Sequence, residues 1–143
     1  MFRWVKTLFE KKPPAPAPEF RHPELGLLTF DSDSDMWNGS AHRDGREIPF
    51  VIGGRECPPN PNLTSALLQL LDRFAQAESS ALELLCPPDV PATKTDFTFQ
   101  CVSFLRTNAP DEFTFAFILE DDAFAIWRVE FVSGLPKYTG RDD

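Results

Sequence analysis

Asp31, Asp33 and Asp35 alternate through the run Asp31-Ser32-Asp33-Ser34-Asp35, the spacing with which a calcium-binding loop begins. Such a loop needs glycine at its sixth position for the sharp turn and glutamate at its twelfth as a bidentate ligand. Met36 and His42 stand there instead, so the run reads as a solvated turn. His22 and His42 are the two histidines, and neither lies at the spacing of a zinc ligand set. No serine or cysteine sits in a nucleophile motif. Gly53-Gly54 is an isolated pair without the further glycines and lysine of a phosphate cradle. The carboxylates cluster at Glu120-Asp121-Asp122 and Asp142-Asp143, in a turn and at the last residues of the chain. Water there keeps a carboxyl ordinary and makes it a poor general acid. The residue types therefore point to no catalytic residue, no metal site and no cofactor.

What must position these residues is legible from hydrophobic spacing. Leu25, Leu27 and Leu28 lead into Thr29-Phe30, a first strand. Met36 to His42 makes a second and Glu47 to Ile52 a third, joined by Asp44-Gly45, a strong hairpin signal. Pro49 lacks an amide donor, which predicts an edge or a bulge for the third strand. Asn60 is placed to cap a helix that Pro61 opens. From Leu63 to Leu85 apolar residues recur at three- and four-residue intervals, which predicts one long helix with a possible break at Ser79-Ser80. Cys86-Pro87-Pro88 ends it. Phe97–Phe104, Phe113–Leu119 and Ala123–Val132 alternate with period two and predict three more strands. The expected fold is α+β, an antiparallel sheet in the order β-β-β-α-β-β-β with one long central helix packed on one face. Its phenylalanines fill the core, with Trp37 and Trp127 as core or rim anchors, although an apolar ligand pocket between helix and sheet is the alternative.

Ahead of this domain, at residues 20–143, the chain changes character. Residues 1–12 are basic and aromatic: Arg3, Lys6, Lys11 and Lys12 outweigh Glu10, a net +3, so the rest carries −11 of a total of −8. Phe2, Arg3, Trp4, Lys6, Leu8 and Phe9 could touch an anionic membrane surface, or the segment could pack on its own domain or on a partner. Residues 13–19 begin with PPAPAP and read as an extended spacer. No apolar run approaches the ~18–20 residues of a membrane helix, and the interspersed charges at the start do not make a signal peptide.

An acidic chain is a poor holder of phosphate backbones, which argues against nucleic acid. Cys57, Cys86 and Cys101 are an odd set without a CxxC pair, which fits a reducing, cytoplasmic setting; Cys101 is expected as a small buried hydrophobe.

Two stretches carry a resemblance. His22-Pro23-Glu24-Leu25-Gly26-Leu27-Leu28, with Trp37-Asn38-Gly39, and Trp127-Arg128-Val129-Glu130-Phe131-Val132-Ser133-Gly134-Leu135-Pro136 resemble a group of small bacterial domains of unknown function. Some relatives in that group lie near polymorphic-toxin genes. The resemblance implies an immunity role and transfers no catalytic residues. Taken with the charge, the expectation is a non-enzymatic cytoplasmic interaction domain that meets a basic protein partner through Asp31, Asp33, Asp35, Glu120, Asp121 and Asp122. The alternatives are a peripheral membrane adaptor anchored by residues 1–12 and a small-molecule-binding domain.

Overall fold

Alternating bulky and polar residues build most of this molecule. The computed structural model describes residues 17–86 and 94–142. Its strands are β1 (Glu19–His22), β2 (Gly26–Asp31), β3 (Met36–Arg43), β4 (Arg46–Gly53), β5 (Phe97–Phe104), β6 (Phe113–Leu119), β7 (Asp122–Val132) and β8 (Leu135–Asp142). They form one sheet in chain order, β1 to β8. Helices α1 (Pro61–Leu71) and α2 (Phe74–Leu85) connect β4 to β5.

This corrects the expected architecture in three ways. First, the sheet is mixed. β4 and β5 run parallel, with Phe50 beside Val102 and Ile52 beside Phe104, while every other neighbouring pair is antiparallel. A helical connection carries the chain back along the sheet, so the next strand starts at the end where the last one started. One-sided burial had pointed to an all-antiparallel sheet, but it arises just as well here because helices cover one face alone.

Second, the expected single helix is two. The break falls at Asp72-Arg73, not at Ser79-Ser80: the Arg73 amide bonds back to the Leu70 carbonyl at 3.0 Å, and Arg73 leaves helical geometry at φ −128°, ψ 25°. Length supplies the reason. A straight helix from 61 to 85 would run ~37 Å at ~1.5 Å per residue, and an eight-residue strand spans only ~26 Å. Bending keeps Leu63, Leu67, Leu70, Phe74, Ala77, Ala81 and Leu85 buried, all in one core with the sheet. The predicted start stands: Asn60 Oδ1 accepts from the Asn62 and Leu63 amides at 2.9 and 3.3 Å, with Pro61 next.

Third, there are two further strands, β1 and β8, both at edges. Pro49, expected at an edge or bulge, is in neither. It lies opposite Ser40 in β4, an interior strand, one residue before the paired stretch with β5 begins at Phe50. Its missing donor therefore removes nothing from the β5 ladder.

The helix-covered face collects the core. Leu28, Trp37, Ile48, Phe50, Ile52, Val102, Phe104, Phe115, Phe117, Val129 and Phe131 are all buried. Gly39 faces Phe50, and a β-carbon there would come within 2.5 Å of the ring. Phe115 holds the centre, its ring within 4.9–6.2 Å of those of Phe74, Phe99, Phe113, Phe117 and Phe131. Trp37 donates its indole N–H to the Glu56 carbonyl at 3.1 Å, which satisfies its polar atom.

Candidate functional site

The opposite face of the sheet carries no helix among the described residues. Strand register sets out its rows. One row runs Asn38, Val51, Ser103, Thr114, Glu130, Tyr138 across β3 to β8. The next crosses Cys101, Ala116, Arg128 and Gly140. None of these side chains is buried. Alternation puts Ile118 and Ile126 on the same side, at the β6–β7 end, where Ile126 is 38% exposed; Phe124, 99% exposed, stands in the stretch where the β6–β7 register shifts. With Ala116 and Cys101, Ile118 and Ile126 put apolar side chains on the open sheet.

Towards the other end of the same face lies a groove of about 480 Å³. Ser103, Thr114, Glu130 and Tyr138 floor it, with Leu105, Arg106, Glu112, Val132 and Lys137 around them. Tyr138 is 53% and Leu105 54% exposed. Arg106 pairs with Glu112 at 3.1 Å, and the Lys137 ammonium sits 5.5 Å from the Tyr138 ring centre. Arg128 lies between two carboxylates of the open face: it donates to Glu130 at 2.9 Å, and it grips Asp142 through Nε and Nη2. One guanidinium thus answers two carboxylates, and the pair keeps a net negative charge.

A second groove, about 390 Å³, opens between the β3–β4 hairpin and the α1–α2 junction, lined in part by Ile48, Leu71 and Phe74. Arg46 stands in it, clamped by both Glu78 carboxylate oxygens at 2.6 and 2.7 Å and lying 5.0 and 5.6 Å from the Phe74 and Phe99 ring centres. Its guanidinium is spent on closing the rim of the core.

The acidic residues expected to meet a partner are not one patch. Asp31, Asp33 and Asp35 sit in the β2–β3 turn; Glu120, Asp121 and Asp122 sit at the β6–β7 turn, at the opposite end of the strands and four strands away. Several are occupied locally. Asp31 accepts from the Asp33 amide at 3.0 Å and the Ser34 hydroxyl at 2.8 Å; the hydroxyl chiefly holds the carboxyl below its ordinary range. Asp35 pairs with Arg55 at 2.9 Å. Asp122 takes both Arg141 nitrogens, at 2.7 and 3.0 Å, and that bond is the main cause of its lowered pKa. Trp127 stands beside them, its indole nitrogen buried and, among the described residues, without a hydrogen bond of good geometry.

Cys101 is half-buried on the open face rather than enclosed in the core, and burial pushes its thiol upwards. The β5 irregularity between Phe99 and Cys101 explains the change. It turns Phe99 to the helices and Cys101 away from them. His22 accepts from the Glu24 and Leu25 amides at 3.1 and 3.2 Å and so shapes the β1–β2 turn. The membrane-contact residues Phe2, Arg3, Trp4, Lys6, Leu8 and Phe9 lie outside the described residues, and no described helix is long and apolar enough to cross a membrane.

Sequence reading missed Tyr138 and Lys137 because they stand in β8, whose exposed residues carry no apolar alternation. Phe124 was hidden for another reason: its type reads as core. The outward direction of Arg128 and Glu130 was legible from the β7 alternation. Comparison of the chain with protein-family models, curated proteins and solved structures finds no match.

Proposed function

We propose that this protein is an interaction domain that takes a basic protein partner on the open face of its sheet. The observation that carries this reading is the juxtaposition of Ile118 and Ile126 with the carboxylates Glu130 and Asp142, which share Arg128. Apolar contacts would supply the affinity, and Glu130 and Asp142, two carboxylates on one guanidinium, would favour a cationic partner at that point. The two acidic turns lie at the ends of the strands, where they steer encounter rather than make the contact. A net charge of −8 favours basic proteins over nucleic acid. An immunity role, in which an acidic domain masks a basic toxin, is the specific form that the resemblance implies.

The test is fluorescence anisotropy with a labelled amphipathic lysine–leucine peptide. Binding that weakens about tenfold in Phe124→Ser/Ile126→Ser, and weakens with salt, supports the reading. Binding unaffected by both overturns it.

A further inference from the structure

We propose that the groove of about 480 Å³ on the open face binds a neutral sugar, with Tyr138 as the platform on which a pyranose ring stacks. The inference does not rest on the reading above, because the groove lies at the other end of the face from Ile118 and Ile126.

The groove is large enough for a small ligand, whose sites run to ~300–1,000 Å³. Its chemistry disfavours three classes of occupant. Arg106 and Lys137 stand against Glu112 and Glu130, so the groove has no net charge, and a free anion or cation gains nothing from its field. An apolar ligand would strip water from those four groups without replacing it. A peptide strand would need unpaired backbone groups, but β5, β6 and β7 each have a neighbour on both sides, so the floor offers side chains alone.

What fits is an uncharged molecule with many hydroxyls. A hydroxyl both donates and accepts, and the groove answers both functions: Glu112 and Glu130 accept, Arg106 and Lys137 donate, and Thr114 and Tyr138 do either. The planar carboxylate and guanidinium groups each offer two parallel bonds, which suits a pair of neighbouring hydroxyls on a sugar ring. Arg106 and Glu112 hold each other at 3.1 Å, so both planes stay at the rim. The Tyr138 hydroxyl and the Lys137 ammonium make no hydrogen bond among the described residues, and the ammonium lies 5.5 Å from the ring centre. The Tyr138 side chain is 53% exposed, and the electron-rich face of its ring attracts the weakly positive C–H face of a pyranose.

Tyr138 is the one tyrosine of the chain, so an isotope label on the tyrosine ring gives a single NMR reporter inside the groove of the unaltered protein. The probes are cellobiose, maltose and N,N′-diacetylchitobiose, with inorganic phosphate and spermidine as charged controls. The expected result is a saturable shift of the Tyr138 ring signals by at least one of the sugars, half-complete at about 1 mM and at the same midpoint in low and high salt. Saturation transfer to the sugar protons then reads the variants. Tyr138→Ala should weaken binding about tenfold, whereas Tyr138→Phe, which keeps the ring, should stay within about threefold. No saturable shift with any of the three sugars overturns the proposal. So does phosphate or spermidine acting at a lower concentration than every sugar, which would assign the groove to a charged ligand. Binding that Tyr138→Ala leaves unchanged overturns it as well, since the sugar then sits elsewhere. Peptide binding is read separately: sugar bound without peptide removes only the partner reading, and peptide bound without sugar removes only this one.

Discussion

Arg128 lies flat over Gly140, so close that a β-carbon at 140 would stand 2.7 Å from its Nη2 atom. The two residues are paired across β7 and β8, and the missing side chain lets the guanidinium lie down between Glu130 and Asp142. The charge balance of the open face therefore depends on a glycine in an edge strand.

Gly140→Val should lift Arg128 off this seat. The ion pairs are partly exposed and worth at most ~1 kcal/mol, so urea denaturation should show a small loss of stability. Freed carboxylates should instead tighten binding of a basic peptide and steepen its salt dependence, read by anisotropy. Unchanged binding would show that Arg128 does not set the charge of this face.

Two phenylalanines separate core from surface. Phe115 is fully buried among five other rings, whereas Phe124 is 99% exposed. Phe115→Ala should cost ~3–5 kcal/mol, a large part of a small domain's stability. Phe124→Ala should stay within ~0.5 kcal/mol. Midpoints of urea unfolding measure both. A comparable loss at Phe124 would mean that it is covered in solution.

Acid should weaken the fold. Asp31, Glu56 and Asp122 are held below the ordinary carboxylate range: Asp31 by the Ser34 hydroxyl, Glu56 by its own backbone amide and by Asn60, Asp122 by Arg141. In the unfolded chain each regains its ordinary value near ~4 and takes up a proton first. Their contribution is present above that value and is lost as pH falls through the lower folded-state values. The urea midpoint should therefore fall between about pH 5 and 3, and the fall should be shallower in Asp122→Asn.

How much of this was legible depended on where each residue's information resides. Phe113, Phe115 and Phe117 announce an inward face in their own spacing, and β6 begins and ends where that spacing does. Asp44 and Gly45 announce their hairpin, since the turn needs the positive φ that both adopt, 53° and 74°. Asn60 and Pro61 announce a helix start for an equally local reason. Of the candidate site, the outward pair Arg128 and Glu130 could be read in the same way. The acidic turns could be found as residues but not as places, because their separation depends on how many strands lie between them.

Local pattern by itself thus determined which strands turn a bulky side inward, where the main hairpin turns, and where the first helix starts. The parallel pairing of β4 and β5, the bend at Asp72-Arg73, the edge position of β8 and the exposure of Phe124 were decided by the tertiary structure. The physical reason is that alternation specifies that a strand has an apolar side, while the neighbour it pairs with, and what lies over each side, depend on residues far along the chain. An edge strand such as β8 buries little, so selection for apolar spacing leaves no mark on it. Phe124 carries the residue type of the core and stands outside it, in the stretch of β7 where the register with β6 shifts, which no alternation within the strand announces.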